Sequence, residues 1–214
     1  TKWAADVDAK PFEVGQTEYL FYVGCAGAFD ARSKQVTLAI ARTLDAGAQG
    51  VVVPRVEEKD VVAKVVSAGR YPPLGERGYG LRGLVTDYAK LSVKDLMQRV
   101  DADTMLIIQI ESVKAVDDVE DLISVKGLDG VLIGPNDLSI SLGIPGELNH
   151  SKIEQAIQKV VNACVKYDVA RGIHLRDLEH LLKWKQRGIN MLLYSTDVGL
   201  LMSAASPALK QLKG

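Results

Sequence analysis

Cysteine and histidine are scarce in this chain. Two cysteines, Cys25 and Cys164, and three histidines, His150, His174 and His180, occur among its 214 residues. Two cysteines cannot build a disulfide framework, so we predict two buried or incidental thiols. The histidines do not have the spacing of metal ligands, which favours structural or surface roles for all three.

An excess of charge of one sign is also missing. Lys+Arg number 26 and Asp+Glu number 27, and no basic run appears. Nucleic-acid and membrane-surface proteins need a concentrated basic face, so the sequence argues against both kinds of partner. The apolar runs are too short to span a membrane, and acidic residues and lysine already occur in the first twenty positions, which argues against a signal peptide. A soluble, cytoplasmic protein is predicted.

Motifs for nucleotide binding and nucleophilic catalysis are absent as well. Gly75, Gly78, Gly80 and Gly83 punctuate one loop, but their spacing fails the GxGxxG pattern and no lysine–serine pair follows them. No serine, histidine and aspartate are arranged for nucleophilic catalysis. Arg77 lies in this loop, where it either binds a carboxylate or phosphate with its forked guanidinium or is simply a solvent-facing charge.

Apolar runs alternate with helical patterns along most of the chain. This alternation predicts an α/β fold with a parallel sheet and right-handed crossovers. A closed (βα)8 barrel needs eight strands, so we predict one domain over residues 1–214 made of TIM-barrel-like βα units in an incomplete or altered barrel. The six predicted strands lie near Tyr19, Val51, Ile107, Leu132, Gly172 and Leu192.

Capping residues and helix breakers predict where several helices begin and end. Inward-facing valines predict a helix from Glu57 to Ala68, and Ser92 and Ser151 are predicted as helix N-caps. Ser206 and Pro207 are predicted to divide the C-terminal tail into two short helical pieces.

The central βαβ unit carries the main candidate site. Apolar runs at Met105–Ile110 and Val131–Ile133 flank one helical pattern, and the carboxylates Glu111 and Asp137 follow the two runs. Because parallel strands point their ends the same way, both carboxylates are predicted at the carboxyl edge of the sheet. Two carboxylates suit a hard divalent cation such as Mg²⁺. The alternative is that polar residues simply terminate apolar strands.

Two further features are predicted beside these carboxylates. Gln109 precedes Glu111 by two residues on the same strand and therefore points to the same face. The turn from Gly134 through Asn136 to Asp137 offers backbone N–H groups to a small carboxylate. The alternative is an ordinary strand-to-helix turn in which Asn136 or Asp137 is only an N-cap.

At these residues the sequence resembles the HpcH/HpaI aldolase family, the metal-dependent class II aldolases that act on pyruvate and other 2-oxo acids. The resemblance begins near Asp45 and follows the family's order. Its segments are Asp45 to Pro54, Arg70 to Gly80, Ile107 to Ser112 and Gly127 to Gly143.

The resemblance implies a (βα)8 barrel that often assembles as a homo-oligomer, a 2-oxo acid substrate and a divalent metal ion, Mg²⁺ or Mn²⁺/Co²⁺. In the implied mechanism the metal stabilises a pyruvate enolate next to the C–C bond that is made or broken. The implied site residues are Glu111 and Asp137 as metal ligands, Gln109, Gly134, Pro135 and Asn136 as substrate-binding residues, and Arg77 as a weaker, catalytic candidate.

The front of the chain, residues 1–44, departs from the family. Family members have early βα units with an acid–base histidine and an arginine that contacts the keto oxygen. Neither is found, because no histidine precedes His150 and the strand predicted at Tyr19 to Ala26 contains no arginine. This segment weakly resembles part of the cysteine-rich domains of iron–sulfur electron-transfer subunits, without their paired cysteines.

Two accounts of this front segment stay open, and each bears on function. We favour a chimera of unrelated segments 1–44 and 45–214 over a divergent aldolase that lost its early units. The first functional hypothesis is a metal-dependent aldolase-type lyase. The alternative is a catalytically inactive α/β scaffold that retains the metal and 2-oxo acid site.

Overall fold

The computed structural model describes Ile40, residues 42–79 and residues 91–213. Its five strands are β1 (Gly50–Val53), β2 (Met105–Ile110), β3 (Gly130–Ile133), β4 (Ala170–Leu175) and β5 (Met191–Tyr194). They form one sheet in the order β1-β2-β3-β4-β5, with parallel pairing of β3 with β4 and of β4 with β5. The α/β prediction with parallel strands is confirmed. The sixth predicted strand, near Tyr19, lies outside the described residues.

Helices occupy the connections between these strands and follow the last one. They are α1 (Lys59–Gly69), α2 (Val93–Asp103), α3 (Val113–Asp117), α4 (Val119–Ile123), α5 (Pro135–Ser141), α6 (Ser151–Tyr167), α7 (Leu178–Gln186) and α8 (Asp197–Lys213). A helical segment at 42–45 precedes β1 and ends before Gly47, whose φ of 94° is one that glycine adopts without strain. No helix of the described residues is long and apolar enough to cross a membrane.

The chain forms two compact units. Unit 1 comprises the described residues before Pro54, Asp60–Ile107 and Lys126–Leu128. Unit 2 comprises Pro54–Lys59, Ile108–Val125 and the described residues from Asp129 onward. The single domain expected from the sequence stays a prediction.

Unit 1 contains a buried arginine that joins three segments of backbone. Arg70, which follows α1, is 3% exposed. Its Nε donates to the carbonyl of Gly127 at 3.0 Å, and its Nη1 donates to the carbonyls of Asp101 at 2.6 Å and Thr104 at 3.0 Å. Because a buried carbonyl without a donor is destabilising, this side chain holds the end of α2 and the 126–128 segment in place.

Unit 2 is built around β3, which is buried at all four positions. It pairs with β4 from Gly130 opposite Ala170 to Ile133 opposite Ile173. Helix α6 packs on α3 and α4 with an apolar stripe, which is the amphipathic pattern expected of a helix on a sheet. The buried members of the stripe are Ile153, Ile157, Val160, Val161, Ala163 and Cys164.

Several helix boundaries differ from the predicted ones. α1 begins at Lys59 rather than Glu57 and ends one residue later, at Gly69. The N-cap prediction for Ser92 is confirmed, since its Oγ accepts the N–H of Asp95 at 3.2 Å. The single helix predicted between the two central strands is wrong, because α3 and α4 are separate. The break lies at Asp118, whose ψ of 9° leaves the helical range.

Two predictions for the later helices are also wrong. The N-cap of α6 is His150 rather than Ser151, and its Nδ1 accepts the N–H of Lys152 at 3.1 Å. The C-terminal tail is one helix, α8, with Pro207 inside it. A proline in a helix removes one N–H donor, and the carbonyl that loses its partner can be hydrated because α8 is exposed along most of its length.

Candidate functional site

Glu111 follows directly after β2 in unit 2 and is only 8% exposed. Its Oε1 accepts the backbone N–H of Arg55 at 2.8 Å, and its Oε2 accepts an N–H of the Gln109 amide at 2.8 Å. Burial raises the pKa of Glu111; the Arg55 N–H bond opposes this, and the charge of Asp137 adds to it. The net direction is upward, so the two hydrogen bonds do not compensate for lost hydration and a neighbouring negative charge.

Asp137 lies on the first turn of α5 and is exposed. The charge of Asp137 contributes, after burial, to the raised pKa of Glu111, so the two carboxylates lie within electrostatic reach of each other. The structure therefore brings together Glu111, Gln109 and Asp137, as the strand geometry predicts. The role of the two carboxylates as metal ligands stays a prediction, beside the alternative that polar residues simply terminate apolar strands.

The turn that connects β3 to α5 requires glycine at position 134. A Cβ placed on Gly134 would lie 2.7 Å from Nε2 of Gln109 and 3.0 Å from Oε2 of Glu111. The Gly134 N–H also donates to the carbonyl of Ile110 at 3.0 Å, which fixes the turn beside the end of β2. Any side chain at this position would displace the polar groups of the site.

Helix α5 starts at Pro135, and the N-cap is Gly134. The alternative in which Asn136 or Asp137 is the N-cap is therefore wrong: proline at the first helical position has no N–H to satisfy, and the cap falls one residue earlier. Asn136 and Asp137 stand in the first turn, and no side chain caps this helix. Their N–H groups are among those that an α-helix leaves without an intrahelical partner.

Two serine hydroxyls stabilise this turn from within unit 2. Ser139 is fully buried; its Oγ donates to the carbonyl of Asn136 at 2.6 Å and accepts the N–H of Gly146 at 2.9 Å. The Oγ of Ser141 accepts the N–H of Val113 at 3.0 Å. Ser141 thus links the helix that carries Asp137 to the segment that follows Glu111.

The donor set of this site fits a hard divalent cation. Glu111 and Asp137 supply carboxylate oxygens, and burial raises the pKa of Glu111 more than the charge of Arg55 lowers it. Mg²⁺ is typically held by one or two carboxylates and keeps water and substrate oxygens in its other positions. Among the described residues no cluster of three or more His, Cys, Asp or Glu side chains forms a metal site.

Arg77 and the two side chains that it contacts belong to unit 1. It is 4% exposed, its Nη2 donates to Oδ1 of Asp45 at 2.8 Å, and its guanidinium lies 5.1 Å from the centre of the Tyr71 ring. The solvent-facing alternative is therefore wrong. Its Nε and Nη1 are buried without a hydrogen-bond partner, and the contact with the aromatic ring compensates part of the lost hydration.

The remaining residues considered in the sequence have contacts of a structural kind. His150 caps α6, Nε2 of His174 lies 2.8 Å from the carbonyl oxygen of Ser195, and His180 lies 3.4 Å from Asp177. Cys164 is buried, and burial raises the pKa of its thiol to about 12. That thiol is therefore protonated and unreactive at neutral pH. Cys25 lies outside the described residues.

Sequence reasoning missed Arg55 and Ser141. Arg55 follows β1 and has a left-handed backbone with φ of 53°, which a non-glycine residue adopts rarely. The available signal was its place just after Pro54 at a strand end, where functional residues of parallel sheets collect. No local pattern marks Ser141, because its partner Val113 is 28 residues away in sequence.

Comparisons with known proteins identify the family of the chain. The family described as HpcH/HpaI aldolase/citrate lyase matches residues 30–204. A 2-keto-3-deoxy-L-rhamnonate aldolase of Escherichia coli O6:K15:H31 (strain 536 / UPEC) is 41% identical over 120 residues, which are 56% of this chain and 44% of that protein. This chain thus aligns with less than half the length of that curated relative.

Two solved structures are similar over a larger share of the chain. An HpcH/HpaI aldolase from Desulfitobacterium hafniense DCB-2 is 35% identical with a TM-score of 0.79, covering 83% of this chain and 68% of that one. An HpcH/HpaI aldolase/citrate lyase family protein from Burkholderia cenocepacia J2315 is 31% identical with a TM-score of 0.74, covering 83% and 70%.

The family match also bears on the front segment. It starts at residue 30, ahead of Asp45, where the sequence resemblance was expected to begin. Residues 30–44 are therefore part of the match. The chimera and the iron–sulfur resemblance gain no support from these comparisons, and the residues before Ile40 lie outside the described range.

Proposed function

Because the chain belongs to the HpcH/HpaI aldolase/citrate lyase family, we propose that it is an aldolase-type lyase acting next to the enolate of a 2-oxo acid such as pyruvate. The observation that carries this proposal is the repulsive pair of Glu111 and Asp137 beside the glycine turn of unit 2. A buried carboxylate next to a second one is destabilising unless a cation joins them.

The proposed metal ligands are Glu111 and Asp137, and the proposed ion is Mg²⁺, with Mn²⁺ or Co²⁺ as substitutes. When bound, such an ion acts as a Lewis acid that stabilises negative charge on the 2-oxo acid. Gln109 and the Arg55 N–H orient the Glu111 carboxylate, since each donates to one of its oxygens. Preorganised ligands of this kind lower the reorganisation needed on binding.

The proposed substrate-binding residues are Gly134, Pro135 and Asn136, with Gln109 on the neighbouring strand. The first turn of α5 offers backbone N–H groups to the substrate carboxylate, and proline at its start fixes the turn. Arg77 stays a weaker candidate, supported by its two unpaired buried nitrogens. A homo-oligomer is also proposed, supported by exposed apolar residues of α8 such as Leu201 and Leu212. A cytoplasmic location stays a prediction.

A second candidate function is a scaffold that binds the metal and the 2-oxo acid without turnover. The three histidines favour it, because their contacts lie at a helix cap, at the Ser195 carbonyl and at Asp177.

Exchange of the pyruvate methyl protons in D₂O, followed by NMR with Mg²⁺, tests the proposal. We expect metal-dependent exchange in the wild type and loss of both exchange and metal binding in Glu111→Gln. Glu120→Gln is the matched control, because Glu120 is an exposed carboxylate of unit 2 that pairs with Lys166 at 2.6 Å. Metal binding without exchange would support the scaffold; unchanged metal affinity in Glu111→Gln would contradict both functions.

A further inference from the structure

Arg55 is held against the candidate metal site by its own backbone. Its N–H donates to Oε1 of Glu111 at 2.8 Å, and the Cα is one bond from that nitrogen. The guanidinium is therefore within one side-chain length of the carboxylate. The side chain is exposed, so it lies at the solvent side of the site rather than beneath it.

Among the described residues the guanidinium of Arg55 makes no hydrogen bond or ion pair, although its charge lowers the pKa of the Glu111 carboxyl beside it. Two lysines of unit 2, Lys59 and Lys114, are engaged elsewhere. Lys59 pairs with Asp121 at 2.7 Å, and Lys114 donates to the carbonyl of Glu57 at 2.6 Å and lies 3.3 Å from Asp118. Arg55 is thus one of the cations of unit 2 for which the described residues show no side-chain partner, and it is the one whose backbone is bonded to Glu111.

The backbone of Arg55 adds an independent argument. Its φ of 53° is in the left-handed region, which glycine or asparagine adopts more easily than a long side chain. A strained conformation next to a candidate site is a reason to look for a role of the residue that adopts it. Here the strained backbone places an N–H on Glu111, and the charge of the same residue also acts on that carboxyl.

We propose that Arg55 binds a second carboxylate of the substrate, so that the site favours 2-oxo acids or aldol products with an acidic tail over those with a neutral tail. This inference rests on the proposed function. A forked guanidinium suits carboxylate and phosphate alike. One arginine beside Glu111 and Asp137 offsets a single negative charge, so a monoanionic carboxylate fits better than a dianionic phosphate.

Binding of a matched pair of ligands tests this inference without requiring turnover. 2-Oxoglutarate and 2-oxopentanoate share the 2-oxo acid end and chain length, and differ by a carboxylate in place of a methyl group. Calorimetric titration of the Mg²⁺-loaded protein measures both. We expect 2-oxoglutarate to bind about tenfold more tightly, which corresponds to one charge-assisted hydrogen bond of moderate strength.

Arg55→Gln should abolish the difference, because it keeps the backbone N–H and much of the side-chain length but removes the charge. Arg55→Lys should retain part of it, and Arg99→Gln, at an exposed helix position in unit 1, should retain all of it. Equal affinities in the wild type, or a difference that survives in Arg55→Gln, would overturn this inference alone. Binding of neither ligand would overturn the proposed function as well.

Discussion

Arg70 in unit 1 and Glu111 in unit 2 are both charged side chains removed from water, but their surroundings differ. Arg70 donates to the carbonyls of Gly127, Asp101 and Thr104, so hydrogen-bond acceptors surround a cation. Glu111 accepts two N–H groups but lies near a second carboxylate, and its pKa is raised. The first arrangement is satisfied within the chain, and the second is not.

The difference separates a structural charge from a binding charge. A buried group that donates to backbone carbonyls of several distant segments stabilises the fold. A buried carboxylate that is repelled by a neighbouring negative charge is stabilised when a cation binds to it. The same physical rule thus assigns Arg70 to stability and makes Glu111 a candidate for binding a cation, and each statement has a measurable consequence.

The largest expected effect is on stability, in Arg70→Met. Methionine keeps much of the volume but leaves at least three carbonyls without their donor, so we expect a loss of about 3–5 kcal/mol in the free energy of unfolding. Urea denaturation measures it. Arg99→Met, at an exposed position paired only with Asp103, should change stability by less than about 0.5 kcal/mol. Equal losses of stability in the two variants would contradict a structural role for Arg70.

A smaller effect is expected on metal binding, in Gly134→Ala. The new Cβ would meet Gln109 and Glu111 at distances that require them to move, so Mn²⁺ affinity should fall by about tenfold or more. Water-proton relaxation follows bound Mn²⁺. Gly78→Ala is the control, because nothing lies within 4 Å of its added Cβ. Retained affinity in Gly134→Ala would show that the turn tolerates displacement and that the ligands are elsewhere.

The smallest expected effect has the opposite sign: without metal, Glu111→Gln should raise Tm at pH 7. The pKa of Glu111 is raised by burial and by Asp137, against the Arg55 N–H, so the folded state binds its proton more tightly than the unfolded state does. The resulting stabilisation is present below the unfolded pKa and is lost as pH rises through the folded pKa. At neutral pH the charged carboxylate is destabilising, and glutamine removes that charge.

We expect the Tm of Glu111→Gln to rise by roughly 2–4 °C for each kcal/mol of destabilisation that the substitution removes in a chain of this size. The gain should disappear on acidification, when wild-type Glu111 is protonated too. Calorimetry at several pH values without metal measures it, with Glu120→Gln as the surface control. A lower Tm in Glu111→Gln at pH 7 would mean that the hydrogen bonds of Glu111 outweigh the repulsion. Glu111 would then be a structural charge, as Arg70 is.

Much of the candidate site could be predicted because it depends on short-range sequence features. Glu111 and Asp137 each follow an apolar run, and Gln109 shares a strand face with Glu111 through the two-residue period of a strand. Arg55 and Ser141 could not be predicted in the same way. Their contacts join residues 56 and 28 positions apart, and no local pattern specifies such a pairing.

Fold prediction shows the same division between near and distant contacts. The strands after Gly50 and the Ser92 cap follow from local propensity and from hydrogen bonds within one turn. The break at Asp118 and the continuation of α8 through Pro207 depend on how a helix packs or on how water reaches it. Local signals for these features were either weak or opposed to the outcome.

The sequence by itself determined the α/β class, the parallel strands and the pair of carboxylates at their ends. The spacing of apolar residues and the polar residues that follow each apolar run are local features, and they can be read without knowing which distant segments pack together. Only the tertiary structure decided that Glu111 is buried, that Arg55 donates to it and that Gly134 must lack a side chain. Burial and close approach arise when distant segments pack, and packing sets the hydration and repulsion that make a carboxylate a candidate metal ligand.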